Sequence, residues 1–321
     1  MKRLLARRLA AALALAWLVL TGTFFLLHLA PGDPATTLGD PRVPPAQRER
    51  LRALWGLDRP LGEQYVRWLA AAVRGEWGYS FQHRRAVAAV VGEAFGPTLL
   101  LSGCAMAVEW VGGLALGLAA ARRPGGWLDQ ILRVVSLAVY SLPSFWLGLM
   151  AVLLFSFRWP LFPPSHLHSV GAAAWPFAER LADLGWHLVL PALAAGLPSA
   201  AALARFVRAS LLETLDQDFI LAARAHGLSE SRVLLRHALR ASLGPISQLF
   251  GLSFAFLLSG TLAVEVVFGW PGLGRVAFDA INARDFPVVL AVTAITATMV
   301  VVGSLVADLL LVWADPRVRR G

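Results

Sequence analysis

Glu109, Glu265 and Asp308 are acids whose setting demands an explanation, because each falls inside a long apolar run. A carboxylate near the centre of a bilayer costs roughly 2.5–3.5 kcal/mol on insertion scales, so it normally faces the protein interior or water. Glu265 stands within four residues of the end of its run, just before Gly269-Trp270-Pro271-Gly272. Glu265, Trp270 and Pro271 are therefore candidates for a solute pathway or gate; interhelical hydrogen bonding or an exposed helix end is the alternative. Glu109 lies deeper and is suited either to lining a cavity or to bonding a neighbouring backbone. Asp308 lies near the end of the last run, where pairing with Arg317 or Arg319 is the expected role.

Catalytic and metal chemistry find little support. His166 and His168 are two apart in a loop and lack a third ligand, so they read as solvated loop residues. Ser141, Ser144 and Ser253 have no histidine at the same depth to act as a base. Cys104 is the only cysteine, which excludes an intrachain disulfide or a thiolate cluster. Lys2 is the only lysine. A phosphate-binding Walker A loop needs a lysine after its glycine-rich turn, so any ATP hydrolysis has to belong to another chain. No catalytic residue, metal site or resident cofactor is expected.

The elements that must position these residues are membrane helices. The 321 residues are 57% hydrophobic and only 15% charged, with a mean hydropathy of +0.63. A soluble domain carries about 25% charge. The net charge of +9 would suit nucleic acid, but apolar runs longer than about 18 residues point to a bilayer instead. Six runs are long enough to cross it: Leu9–Ala30, Pro97–Ala121, Ile131–Ser156, Trp186–Ala204, Ile246–Phe268 and Pro287–Trp313. The first, at about 22 residues, is longer than a signal peptide's apolar core of about 7–15 residues, so an uncleaved span is expected. The fourth is interrupted by Pro191 and Pro198. Trp159, Trp175, Trp186 and Trp270 fall at span ends, as an interfacial aromatic belt would.

Basic residues set the orientation. With both termini in the cytoplasm, the inner pieces carry 16 of the 29 lysines and arginines, and the two short outer loops carry four. The long loop 31–96 carries nine, but long loops cross largely regardless of charge. The expected fold is all-α: a polytopic bundle of six transmembrane helices with both termini cytoplasmic. Its parts are 1–30 (cytoplasmic start and first span), 31–96 (a helical extracytoplasmic loop) and 97–321 (a five-helix core). Within 31–96, periodic segments near Pro45–Trp55, Leu61–Arg74 and Arg84–Phe95 read as amphipathic helices.

Inside the core, the cytoplasmic loop 205–245 reads as two helices joined at a glycine. Asp218 is placed to cap a helix running to His226, with Arg224 and His226 in the last turn, where the helix dipole favours cations. Gly227 is placed for the left-handed residue that ends a helix, and Leu228 for the accompanying apolar contact. Ser229 caps a second helix to about Ala241, and Pro245 opens the fifth span. The small side chains of Ala222 and Ala223 would let one face of this elbow lie against a soluble partner.

The stretch Ile220-Leu221-Ala222-Ala223-Arg224-Ala225-His226-Gly227-Leu228, then His237-Ala238-Leu239-Arg240 and Pro245, resembles the EAA loop of ABC-importer permeases. More narrowly, the chain resembles the dipeptide, oligopeptide and nickel permease family. His28-Leu29-Ala30-Pro31-Gly32-Asp33-Pro34, Leu57-Asp58-Arg59-Pro60, Gly75-Glu76-Trp77-Gly78 and Tyr140-Ser141-Leu142-Pro143 carry the likeness. Gly269-Trp270-Pro271-Gly272-Leu273-Gly274-Arg275, Asp285-Phe286-Pro287-Val288-Val289 and Asp315-Pro316-Arg317 continue it nearly end to end. One departure is Leu221, which stands where the family has the glutamate that names the motif. The resemblance implies a permease subunit of the bacterial inner membrane. A second permease, two ATPase subunits and an extracytoplasmic substrate-binding protein would complete the importer. It further implies that Asp218, Phe219, Ala222, Ala223, Arg224 and Gly227 couple to an ATPase. Dipeptides, longer peptides, nickel complexes and glutathione-like solutes all stay open. A secondary transporter or channel would instead show inverted repeats or intramembrane ion clusters, and no clear repeat is visible.

Overall fold

The computed structural model describes residues 2–30 and 45–314. The expected turn Pro31–Pro34 and the terminal Asp315-Pro316-Arg317 lie outside the described residues, as does the side chain of Asp308. The described chain is helical apart from loops and one isolated β-bridge between Tyr79 and Ala86. Among the described residues, four helices are long and apolar enough to cross a membrane: Leu9–Leu29, Val87–Arg122, Phe177–Leu215 and Phe286–Val306. A fifth candidate is a bent pair, Trp127–Ser141 with Ser144–Arg158. The expected span Ile246–Phe268 lies in a continuous helix, Leu239–Val267.

Three expectations about the spans need correcting. The run Ile131–Ser156 is two helices meeting at 100°, because Pro143 drives Leu142 into extended backbone (φ −86°, ψ 135°). The helix of the second span begins at Val87, ten residues before Pro97, so Val87–Phe95 of the expected amphipathic segment Arg84–Phe95 is its start, and Arg84–Ala86 lie ahead of it. Pro191 and Pro198 do not interrupt the fourth span, which is one helix of 39 residues. Proline removes one backbone donor, a loss that packed helices in a membrane protein absorb.

Two compact units make up the chain: residues 1–98 with 271–301, and residues 99–270 with 302–321. In the first unit, Phe24 on the opening helix (Lys2–Leu29) is 2% exposed and meets Tyr65 and Trp68 of helix Leu61–Val73. Thr21 Oγ1 and Tyr65 Oη lie 2.8 Å apart. A second core packs Val87, Val91 and Ala94 against Leu273, Ala280, Val288 and Val292. Buried Asp285, just ahead of the last helix (Phe286–Ala314), accepts hydrogen bonds from the Ser80 hydroxyl and from Gln82 N (3.0 Å). These bonds tie the loop after Gly78 to the start of that helix.

The second unit is built around helix Phe177–Leu215. Small residues let the neighbouring backbones approach it. A Cβ on Gly196 would stand 2.6 Å from Ala105 O and 2.8 Å from Val108 Cβ, while one on Gly117 would stand 2.8 Å from Ala204 O. Gly185, in the same helix, has nothing within 4 Å of such a Cβ. Gly196→Ala is expected to lower stability by about 1–3 kcal/mol through overpacking. Gly185→Ala should leave it unchanged or raise it, since alanine favours helix by about 1 kcal/mol. Thermal unfolding of the two variants in detergent separates these outcomes.

Candidate functional site

The elbow is the most developed candidate. The long helix ends at Leu215, and the elbow helix runs Asp218–Ala225. Asp218 is its first residue rather than its cap; Gln217 holds the cap position with extended backbone (φ −83°, ψ 150°), and no side chain caps the end. Gly227 is left-handed as expected (φ 78°), a conformation that costs glycine nothing and strains any other residue. Gly227 N donates to Arg224 O at 2.9 Å, closing the helix. Leu228 then packs against the core, and Ser229 precedes the next helical turn, Glu230–Arg232.

That turn does not stop near Ala241. It continues through a π-helical stretch, Val233–Ala238, directly into helix Leu239–Val267, with Pro245 inside the helix rather than at its start. The elbow's second arm and the fifth expected span are therefore one piece.

Burial divides the elbow into two faces. Ile220 (0% exposed) and Ala223 (9%) turn inward, onto a core of Leu203, Val207, Leu211, Val233, Leu234, Ala238 and Ile246. Ala223 is thus a core residue, because helical spacing puts it one turn from Ile220, and it does not share an outer face with Ala222. The outer face holds Phe219 (42% exposed), Leu221 (69%) and exposed Asp218, Ala222 and Ala225. Arg224 is held by Glu230 through two hydrogen bonds, 2.9 and 3.2 Å, across the glycine turn.

Two polar contacts brace this unit below and beside the elbow. Asp129, with no side-chain exposure, accepts from Arg208 Nε, from Arg208 Nη2 (2.8 Å) and from Gly125 N (2.9 Å). Thr214 Oγ1 and Ser242 Oγ lie 2.8 Å apart, joining the long helix to the one that follows the elbow. Neither pairing was visible in the sequence. Partners 79 and 28 residues apart carry no local spacing signal.

The pathway candidates are buried rather than open. Glu109 is 5% exposed and lies in a π-helical turn, Val108–Gly112. It accepts the Ser253 hydroxyl at 2.6 Å, so it bonds a side chain on another helix rather than a neighbouring backbone. Glu265 is 0% exposed, which excludes an exposed helix end. Its carbonyl accepts from Trp270 N at 2.8 Å across a turn in which Gly269 has φ 59°. Trp270, 0% exposed, packs with Leu101, Leu190, Val264 and Phe268 and so is core, not interfacial belt. Pro271 is exposed. Trp159, Trp175 and Trp186 keep 51%, 39% and 53% exposure.

His166 and His168 do not face each other across a metal site. His166 N donates to Phe268 O (2.8 Å), while His168 Nδ1 lies 2.9 Å from Asp183 Oδ2. No group of three or more histidine, cysteine or acidic side chains is arranged for a metal among the described residues.

Comparison with known proteins decides what these helices belong to. Residues 113–320 match the sequence model of a family described as binding-protein-dependent transport system inner membrane component. Residues 1–102 match that family's N-terminal part. The chain belongs to this family. It is a multi-pass permease subunit of the bacterial inner membrane, the transport component of an ABC importer, of a family without an ATPase domain of its own. The glutathione transport system permease protein GsiC of Escherichia coli K12 is similar to this permease, with 35% identity over 313 residues, covering 98% of this chain and 97% of its own. The oligopeptide transport system permease protein AppB of Bacillus subtilis 168 is 34% identical over 297 residues, covering 92% of each.

Proposed function

We propose that this permease forms half of the pathway of an ATP-driven importer for short peptides or glutathione-like solutes. Relatives at 34–35% identity along almost the whole chain, named for glutathione and oligopeptide transport, carry this reading. In it six helices cross the membrane, both termini are cytoplasmic, and the helices between residues 45 and 73 stand outside. The arginine distribution supports that orientation. A second, homologous permease completes the pathway, two ATPase subunits hold ATP and magnesium, and an extracytoplasmic binding protein delivers the solute.

The elbow is the part that docks on an ATPase. Phe219, Leu221 and Ala222 offer an apolar surface, and Asp218 gives it a charged edge. Gly227 sets the angle between the two arms, with Arg224 locking it through Glu230. Ala223 supports the surface from behind. Because the second arm is continuous with Leu239–Val267, movement of the elbow reaches the pathway without an intervening loop. Glu265, Trp270 and Pro271 mark the outer gate, and Glu109 fixes two helices against each other at membrane depth.

Reconstitution tests this reading. Proteoliposomes holding the permease, its partner permease and both ATPases should accumulate labelled tripeptide only with ATP inside and binding protein outside. Uptake by the permease pair without the ATPases would overturn it in favour of a secondary transporter or channel.

A further inference from the structure

The first unit contains a cavity of about 400 Å³, within the range of about 300–1,000 Å³ usual for small-molecule sites. It lies between the outer turns of the opening helix, the helices Pro45–Leu54 and Leu61–Val73, the loop after Val73 and the first turn of the last helix. Its walls are indole and phenyl rings: Trp55, Trp68, Trp77, Phe81, Phe24 and Phe286. Three charged side chains also line it, Arg59, Arg67 and Glu76.

These walls are braced. Trp55 stacks on Phe81 at 4.2 Å and 18°, joining the turn that carries Arg59 to the loop that carries Glu76. Gln64 Nε2 donates to Arg59 O at 2.7 Å, fixing that turn from the next helix. Glu76 N donates to Ala71 O at 2.9 Å, so the acid is anchored where its helix ends.

The charges are not mutually satisfied. Arg59 and Arg67 both reach one oxygen, Glu63 Oε1, at 2.9 and 2.8 Å. Glu63 does not line the cavity, and one carboxylate against two guanidinium groups leaves a net positive charge there. Exposed ion pairs of this kind are worth about 1 kcal/mol or less, so an incoming anion can compete for the arginines. Glu76 is exposed and makes no ion pair among the described residues. A cationic feature and an unpaired carboxylate thus share a small space faced by indole rings, which themselves attract an ammonium group.

We propose that this cavity binds a small zwitterion of the short-peptide class, its carboxylate on Arg59 and Arg67 and its ammonium on Glu76 among the indoles. The assignment rests on the orientation and solute class given under Proposed function, which make it a first stop for solute at the outer mouth.

Equilibrium binding of labelled trialanine to the complete importer, in phosphatidylglycerol nanodiscs without ATP or binding protein, tests it. Saturable binding is expected, weakened roughly tenfold or more by N-acetylation or by C-terminal amidation, since each removes a charge-assisted contact. Glu76→Gln should weaken trialanine by a similar factor yet leave its N-acetyl form unaffected, and Arg67→Ala should do the same with respect to the amide. Blocked and free peptides binding equally, or both variants binding as wild type, would overturn the assignment. So would displacement of the peptide when phosphatidylethanolamine is added to the disc, which would make the cavity a lipid-headgroup site. ATP-driven uptake is read in a parallel preparation. Uptake without this binding sinks the cavity alone, and binding without uptake sinks the importer reading alone.

Discussion

Replacing Phe219 and Leu221 together by aspartate is expected to reduce ATP-driven uptake to background, with the fold of the permease intact. The two side chains are 42% and 69% exposed on the outer face of the elbow, so their removal leaves no cavity in the core. The few anchor residues that dominate a protein interface carry about 2 kcal/mol or more each. Two carboxylates placed against an apolar groove add a desolvation penalty to that loss. Co-purification of the ATPases with the variant should fall away in parallel with uptake, and its thermal unfolding should match wild type. Retained ATPase binding at wild-type levels would show that the elbow docks through some other surface. Ile220→Asp is the informative contrast. Ile220 is 0% exposed, so that variant should fail by unfolding instead.

Asp129→Ala should produce the largest loss of stability among single polar substitutions in the second unit, about 3 kcal/mol or more. The carboxylate has no side-chain exposure, and it satisfies both Arg208 and the Gly125 amide. Its removal leaves a guanidinium only 20% exposed without its anion, and an amide without its acceptor. Asp129→Ala with Arg208→Met should recover much of the loss, because deleting both partners of a buried pair is often near neutral. Reversible denaturant unfolding in detergent, run on the wild type, both single variants and the double, gives the coupling energy. A double variant no better than Asp129→Ala would show that packing around Asp129, rather than the charge pair, holds this corner.

The family and the elbow were legible from residue order, because both rest on local signals. Gly227 announces a left-handed turn, and the apolar runs announce helices. Tertiary contacts decided the features that were not legible. Pro191 and Pro198 look like breaks, yet the helix passes through both, since its neighbours hold it along its length. Ala222 and Ala223 look equivalent in a string of small residues, and only packing onto Leu211 and Val233 sends Ala223 inward. Trp270 reads like the other span-end tryptophans, but it is enclosed by Leu101, Val264 and Phe268. Helix ends misread for a related reason: Pro97 and Pro245 both lie inside helices, and proline marks a boundary only when nothing else restrains the chain.

The length of the helix Phe177–Leu215 has a consequence for where the elbow meets its surroundings. If hydrocarbon ends near Ala204, the residues from Arg205 to Leu215 carry the helix about 16 Å further at 1.5 Å per residue. The headgroup layer is only roughly 5–7 Å deep on each side. Phe219 and Leu221 then stand in bulk water, beyond the reach of lipid tails. In the orientation proposed above, two large apolar side chains held there by a rigid stalk have no membrane to cover them, which suits a docking surface for another protein.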